Sequence, residues 1–564
     1  MKLRYISLCV LAAASVVAVA QDLSKEITVE KEIVPEKRVV TRMATSSSVT
    51  LPAVTQKRLT FSEYRQRDGV APQLAFLEPA AYADSLTVKP FRGYVDFGYF
   101  PIYNTALSAG YKIVDTERTR LGVWTQYDGK IYDDNLIENP FADVTMRSHQ
   151  VEAGIDFAQR VGGQSLLSVD ADYHYGLFNT PYYSNEQVDS YNQSVNQVDV
   201  QIGWSSKAGK VKYAATIGYG HFGYAHAAMA DIIADAQLLA PVRENSWTLN
   251  GYADYIINEC SELGLDIDAS MVDYNRNSAF ASDENGVLSM REAAEPDYGI
   301  IALSPHLDYN IGFFAARFGA RVDVCINSGR ALYVAPDVKL DWKPFSWLAV
   351  YGHLGGGQQM NKLGELYDMS QHTASMMAYG RSSVPFTADA GVMFGPWRGA
   401  GIKIYGQYGI AKDWLMPSLV DGIAHFAPVD VDGWLIGVQA QYNYRDMVKV
   451  KAGYEMAPQN CGDAYYLWRD RACNVLNASL TVTPISALDV EVGYERRDGR
   501  KLVSLTETYD LKTADNLLLG AKYRINDQFN VWARLESIFN TRYYMISGLP
   551  AQGFSGLIGV GYKF

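Results

Sequence analysis

The chain has 564 residues, a net charge of −12, 48% hydrophobic and only 20% charged residues, and it is rich in tyrosine (39) and glycine (47). No run of about 18 apolar residues occurs, which excludes membrane-spanning helices. The acidic balance excludes a nucleic-acid partner, and five cysteines are too few for a disulfide-built scaffold.

In chain order, the first element is a secretory signal peptide over 1–20. Lys2 and Arg4 give the positive start, Ile6 to Ala20 the apolar stretch, and Ala18-Val19-Ala20 the cleavage signature before Gln21. Cys9 follows Leu8 rather than a small residue, which argues against a lipoprotein signal. Residues 21–90 read as a periplasmic arm or lumen-filling segment. Lys25 to Arg38 is charge-rich, Thr45-Ser46-Ser47-Ser48 is polar, and Pro72, Pro79 and Pro90 suit an extended connector.

From Phe91 to Phe564 the chain breaks into about 22 segments of period-two patterning. In the last one, Phe554, Ile558, Val560, Tyr562 and Phe564 share one face, and Ser555, Gly559, Gly561 and Lys563 the other, with Leu557 out of pattern. In the segment at 516–524, Leu517, Leu519, Ala521 and Tyr523 oppose Asn516, Gly520, Lys522 and Arg524, with Leu518 the exception. A period of two is a strand with one apolar face.

The connections alternate in length. Short ones include Val161-Gly162-Gly163, Lys207-Ala208-Gly209, Asn310-Ile311-Gly312, Lys343-Pro344-Phe345, Arg445-Asp446, Pro484-Ile485-Ser486 and Asn526-Asp527; long ones lie at about 131–144, 178–193, 227–243, 276–296, 361–383, 415–432 and 458–472. That alternation predicts an antiparallel transmembrane β-barrel with short periplasmic turns and long outer loops, both chain ends being periplasmic. Hydrocarbon offers no hydrogen bonds, so the backbone must pair internally in a sheet without edges.

No motif of hydrolytic, nucleotide-binding or zinc chemistry occurs, so neither enzymatic activity nor a cofactor is expected. The eight histidines lack zinc-type spacing and read as rim residues; His221 and His226, five apart, face opposite sides of a strand. His306 or His353 could serve a hydrolytic barrel, but no serine is marked as a partner. Gly355-Gly356-Gly357 reads as close packing within a strand. Asp430-Val431-Asp432-Gly433-Trp434 could hold calcium but lacks the remaining positions of an EF-hand loop, leaving a solvated acidic loop as the plainer reading. Cys461 and Cys473 flank one loop, and an oxidising compartment allows them to pair. Between them Tyr465, Tyr466 and Trp468 offer rings for a glycan or protein contact, or belong to an aromatic belt.

The C-terminal third resembles the barrel of TonB-dependent receptors, the active transporters of bacterial outer membranes. Phe529-Asn530-Val531-Trp532-Ala533-Arg534-Leu535, Ile538-Phe539-Asn540-Thr541-Arg542-Tyr543-Tyr544 and Gly559-Val560-Gly561-Tyr562-Lys563-Phe564 carry the resemblance, as do the turns Asp341-Trp342-Lys343-Pro344 and Thr481-Val482-Thr483-Pro484. The style of sequence is similar to Bacteroidetes proteins of that family. The resemblance implies solute uptake across the cell outer membrane. It implies lipid and the outer-membrane assembly machinery as partners, the latter reading Tyr562 and Phe564. It further implies TonB, gripping Glu26-Ile27-Thr28-Val29-Glu30. No plug-like pattern precedes the barrel, so the arm, inward-folded loops or a surface or periplasmic partner protein must fill the lumen. The alternative is a structural or interaction barrel of an outer-membrane assembly.

Overall fold

The computed structural model describes residues 91–564 apart from the segments 102–103, 136–142, 185–186, 227–240, 276–278, 283–287, 292–296, 373–378, 421–422, 446, 459–471, 505–507 and 546–547. The signal segment, the arm at 21–90, the TonB-box-like Glu26–Glu30, Cys461, Tyr465, Tyr466 and Trp468 lie outside the described residues.

The protein is a closed barrel of 22 antiparallel strands. Each barrel strand pairs with its neighbour along the chain, and closure comes from the first, Gly93–Phe100, pairing with the last, Ser555–Lys563 (Tyr94 opposite Lys563 through Tyr99 opposite Ile558). The backbone amides of Arg92 and Gly93 both donate to the Phe564 carbonyl at 2.7 and 2.9 Å. The Phe564 ring lies where a side chain on Gly93 would be, 2.5 Å from its Cβ position, so any larger residue there would have to displace that ring.

The strands stand as the alternation predicted, with two differences of physical interest. The expected outer loops at 178–193 and 415–432 are mostly strand: Ser165–Ser184 pairs with Gln187–Ala208, and Ala400–Val420 with Ile423–Tyr444. A membrane needs only about 9–11 residues per strand, so these 20- to 22-residue strands continue past the apolar band. Polar sequence such as Asn192-Gln193-Ser194 reads as a loop only because hydrocarbon no longer surrounds it. For the same reason Asp430 and Asp432, expected in a loop, sit on the exposed face of a strand, Asp430 Oδ1 accepting from the Asp413 amide at 3.2 Å.

The outward face is apolar and bare: Ile217, Val334 and Ile558 are each 60–61% exposed. Such residues are stable only against lipid. Rings ring the short-turn end, where Trp and Tyr settle at membrane interfaces. Phe345 stacks on Trp347 (5.3 Å), Phe529 meets Tyr562 (4.5 Å), and Tyr562 stacks on Phe564 (5.6 Å), which also stacks on Tyr111 (6.0 Å). Leu557, out of pattern in the sequence, faces inward and is buried. The triple glycine is a β-bulge in the strand Leu348–Gln359; Gly357 has φ +135°, and a side chain on Gly356 would meet the carbonyl oxygens of Val384 and Pro385 within 3 Å.

Candidate functional site

Alternation sends one face of every strand into the lumen, and near the short turns that face is charged. It includes Asp254, Asp266 and His306 on three adjacent strands, with Arg317 on the next. Arg317 donates to both oxygens of Asp308 (2.8 Å each) and to Asp266 Oδ2 (2.9 Å). Charged hydrogen bonds of this kind fix the wall while leaving it wettable.

At the outer end the same inward face turns aromatic. Phe178, Val195, Phe222, Tyr224, Tyr274 and Tyr298 are all buried, and what buries them is a loop. The connection expected at about 361–383 carries a short helix, Leu363–Met369, docked on this wall. Leu363, Leu366 and Tyr367 share one helical face by their i, i+3, i+4 spacing. Tyr367 meets Phe222 at 5.6 Å, His174 at 5.8 Å and Phe178 at 6.0 Å.

Polar contacts pin the loop on both sides of the helix. The Leu363 amide, one of the unpaired donors of a helix start, donates to Glu244 Oε2 at 2.9 Å. Asn361 Nδ2 donates to the Gly380 carbonyl and Ser382 Oγ (2.7 and 3.0 Å). Gln150 Nε2 donates to Gln371 Oε1 at 3.0 Å. His372 is wholly buried: Gln371 Nε2 donates to its Nε2 (2.9 Å), so its Nδ1–H faces Thr180 Oγ1 (3.1 Å). Burial, with the Lys130 charge adding to it, pushes the His372 pKa down to about 3. His306 and His372, expected at the rim, are thus buried, because the glycine-lined wall and the docked loop cover them.

Below the helix lies a recess of about 320 Å³. Glu152, Asp172, Asp199 and Trp124 line it from the wall, and Lys362, Glu365 and Asp368 from the helix. Carboxylates outnumber the single lysine, so the recess suits a solute presenting cationic or hydroxyl groups.

Two further outer segments turn toward the mouth. The hairpin Arg500–Ser504/Thr508–Leu511 pairs in parallel with Ser418 and Leu419 at the tip of a strand four barrel positions before the one it follows. The last connection, 537–554, buries Met545, Leu549 and Ala551 against Tyr132, Val144 and Met146; Tyr132 Oη donates to the Pro550 carbonyl (2.9 Å), and Arg500 Nη1 to that of Tyr544 (2.7 Å). The Ile538–Tyr544 run belongs to this loop, since the preceding strand stops at Glu536.

Of the residues singled out in the sequence, Tyr562 and Phe564 lie together at the seam. Cys473 is disulfide-bonded, whereas Cys260 and Cys325 are free. The docked helix and the His306 cluster carried no sequence signal: Leu363-Gly364-Glu365-Leu366-Tyr367 is too short for periodicity to stand out, and the cluster draws on separate strands.

A closed sheet with an apolar outer band, a polar lumen and loops folded into its mouth defines a large transmembrane β-barrel. Solved structures share it. The FrpB iron transporter of Neisseria meningitidis matches with a TM-score of 0.61 at 14% identity, over 84% of this chain and 81% of that one. The siderophore receptor PirA of Acinetobacter baumannii matches at 0.62 and 10%, over 84% and 81%. The ferric enterobactin receptor PfeA of Pseudomonas aeruginosa matches at 0.60 and 10%, over 84% and 80%. At such identities the likeness is one of fold. No family profile and no curated sequence matches the chain.

Proposed function

We propose that this chain is an outer-membrane barrel of the TonB-dependent-receptor type, exported through a cleaved signal peptide, that moves a solute across the outer membrane. The observation that carries this reading is the barrel: 22 strands around a charged lumen, sharing their fold with transporters of iron, a siderophore receptor and a ferric enterobactin receptor. A wall lined with ionised groups is stable only if water or a polar solute occupies the interior. Membrane barrels of this size carry a plugged lumen, and the docked loop 360–381 is one obstruction in the path.

In this reading the recess under the helix is the first station for the solute, and displacement of the helix opens the way down the charged wall. Energy comes from TonB gripping Glu26–Glu30, and Tyr562 and Phe564 are the aromatic signal read by the assembly machinery. A Cys461–Cys473 bridge holds Tyr465, Tyr466 and Trp468 at the surface for a first contact.

The test is conductance in planar bilayers, with and without residues 362–372. Little conductance from the intact protein and stable open steps from the deletion are expected. Silence from both, in protein with the gel mobility of a folded barrel, would leave a structural or interaction barrel as the function. A pull-down with the periplasmic domain of TonB, against a chain lacking 26–30, tests the energising step.

A further inference from the structure

We propose that Asp254, Asp266 and His306 form a binding site for a divalent transition-metal cation on the lumen wall near the periplasmic mouth. One ligand atom from each lies within 4.8 Å of the others. The site is independent of which solute the barrel carries.

Three adjacent strands build it. Gly264 on the middle strand stands opposite Asp254 on one side and His306 on the other. The outer two strands are about 9.6 Å apart, twice the interstrand spacing. Yet His306 Nε2 and Asp254 Oδ1 approach to 3.6 Å, because both side chains lean over the glycine. A Cβ on Gly264 would lie 2.2 Å from His306 Nε2 and 2.4 Å from Asp254 Oδ1, and one on Gly319 would lie 2.8 Å from His306 Cβ. The two glycines thus make a cradle for the imidazole, whose side chain is 1% exposed.

Hydrogen bonding fixes which nitrogen is available. His306 Nδ1 lies 3.0 Å from the Ser304 carbonyl. A carbonyl only accepts, so Nδ1 carries the proton, the outer-shell arrangement that orients a ligating imidazole. His306 Nε2 and Asp254 Oδ1 are both buried without a hydrogen-bond partner. At 3.6 Å they are too far apart to bond each other. That separation is close to the edge of a metal tetrahedron, about 3.4 Å for bonds near 2.1 Å.

The charge balance points the same way. Arg317 occupies both oxygens of Asp308 and one of Asp266. Asp254, Asp266 and Asp308 against one guanidinium leave two formal negative charges around the imidazole, which a divalent cation cancels. Lys212 is engaged by Glu262 (2.6 Å) and does not compensate them. One nitrogen and two carboxylates suit zinc, cobalt or nickel rather than calcium or magnesium, which prefer oxygen-only shells. Three protein ligands leave a position open to the lumen.

The experiment is a titration of detergent-purified, chelator-stripped full-length barrel with Co²⁺, followed by its visible absorption, and with Zn²⁺ by calorimetry. One equivalent per chain is expected. His306→Ala and Asp254→Asn should each weaken it on the order of 100-fold, the upper end of what loss of a mere outer-shell partner costs. Gly264→Ala should abolish the cobalt band by displacing both side chains, and His353→Ala should leave it unchanged. Heat-modifiable gel mobility checks that each variant remains a closed barrel. If the folded protein takes up no stoichiometric Co²⁺, the cluster is a plain imidazolium–carboxylate network. If His306→Ala and Asp254→Asn bind as the parent does, the ion sits elsewhere. Either result overturns the proposal.

Discussion

The two ends of one stretch of lumen wall, the strands from 165 to 326, follow the same alternation and reach opposite chemistry. Toward the long connections their inward residues are Phe178, Val195, Phe222, Tyr224 and Tyr298; toward the short turns they are Asp254, Asp266, His306, Asp308 and Arg317. Period two fixes which residues point inward. What covers them decides what they must be. At the outer end the helix Leu363–Met369 excludes water, so the wall becomes a protein core and apolar burial holds the contact. At the short-turn end no docked helix covers the wall among the described residues, and charges are held in place by one another.

The sharpest way to break the comparison is to remove the cover. Leu366 is almost wholly buried, and Leu366→Ala should cost the docked loop about 2–5 kcal/mol while sparing the barrel. Limited proteolysis should then cut within 360–381, and bilayer conductance should rise; a loop as protected as in the parent would show that other contacts hold it.

Acid should loosen the same contact. His372 titrates near 3 when docked against an ordinary 6.5, so between these values the undocked state binds more protons. The contact is therefore at full strength above about 6.5 and weakens as pH falls toward 3, by on the order of 2 kcal/mol at pH 4.5. Comparing the pH dependence of proteolysis in the parent and His372→Asn isolates this residue, and identical profiles would remove it from the account.

At the short-turn end, Arg317→Ala leaves Asp308 and Asp266 without their donor. Because the guanidinium is partly solvated, a loss of about 1–2 kcal/mol is expected. It should appear as a lower midpoint of thermal unfolding in detergent, with loop 360–381 as protected as before; exposure of that loop would mean the two ends are coupled. The smallest effect belongs to Thr180→Val, which removes one hydrogen bond to His372 and should weaken docking by about 1 kcal/mol, visible as a modestly faster cut in the same assay.

Much of the barrel was legible in the chain. The alternation of Phe554–Phe564 and 516–524, the short turns and the glycine run 355–357 all report on contacts within a strand or between neighbours, and neighbours in this topology are adjacent in sequence. The reading failed where the solvent changes along a strand. Residues 178–193 and 415–432 leave the hydrocarbon and become polar while still pairing, so composition announces a loop where the backbone continues a ladder. It failed too for Leu363–Met369, whose partners His174, Phe178, Phe222 and Glu244 lie 119–193 residues away in the chain.

By itself the sequence determined the closed sheet, its inside and outside, and the common side of its two ends, because a period of two and the lengths of hairpins are local properties that hydrocarbon enforces residue by residue. Only the tertiary structure decided which part of the lumen is dry, which loop makes it so, and that Asp254, Asp266 and His306 meet over Gly264. Those depend on side chains from different strands and a loop converging at one depth of the barrel, and neither spacing nor periodicity along a single chain records depth.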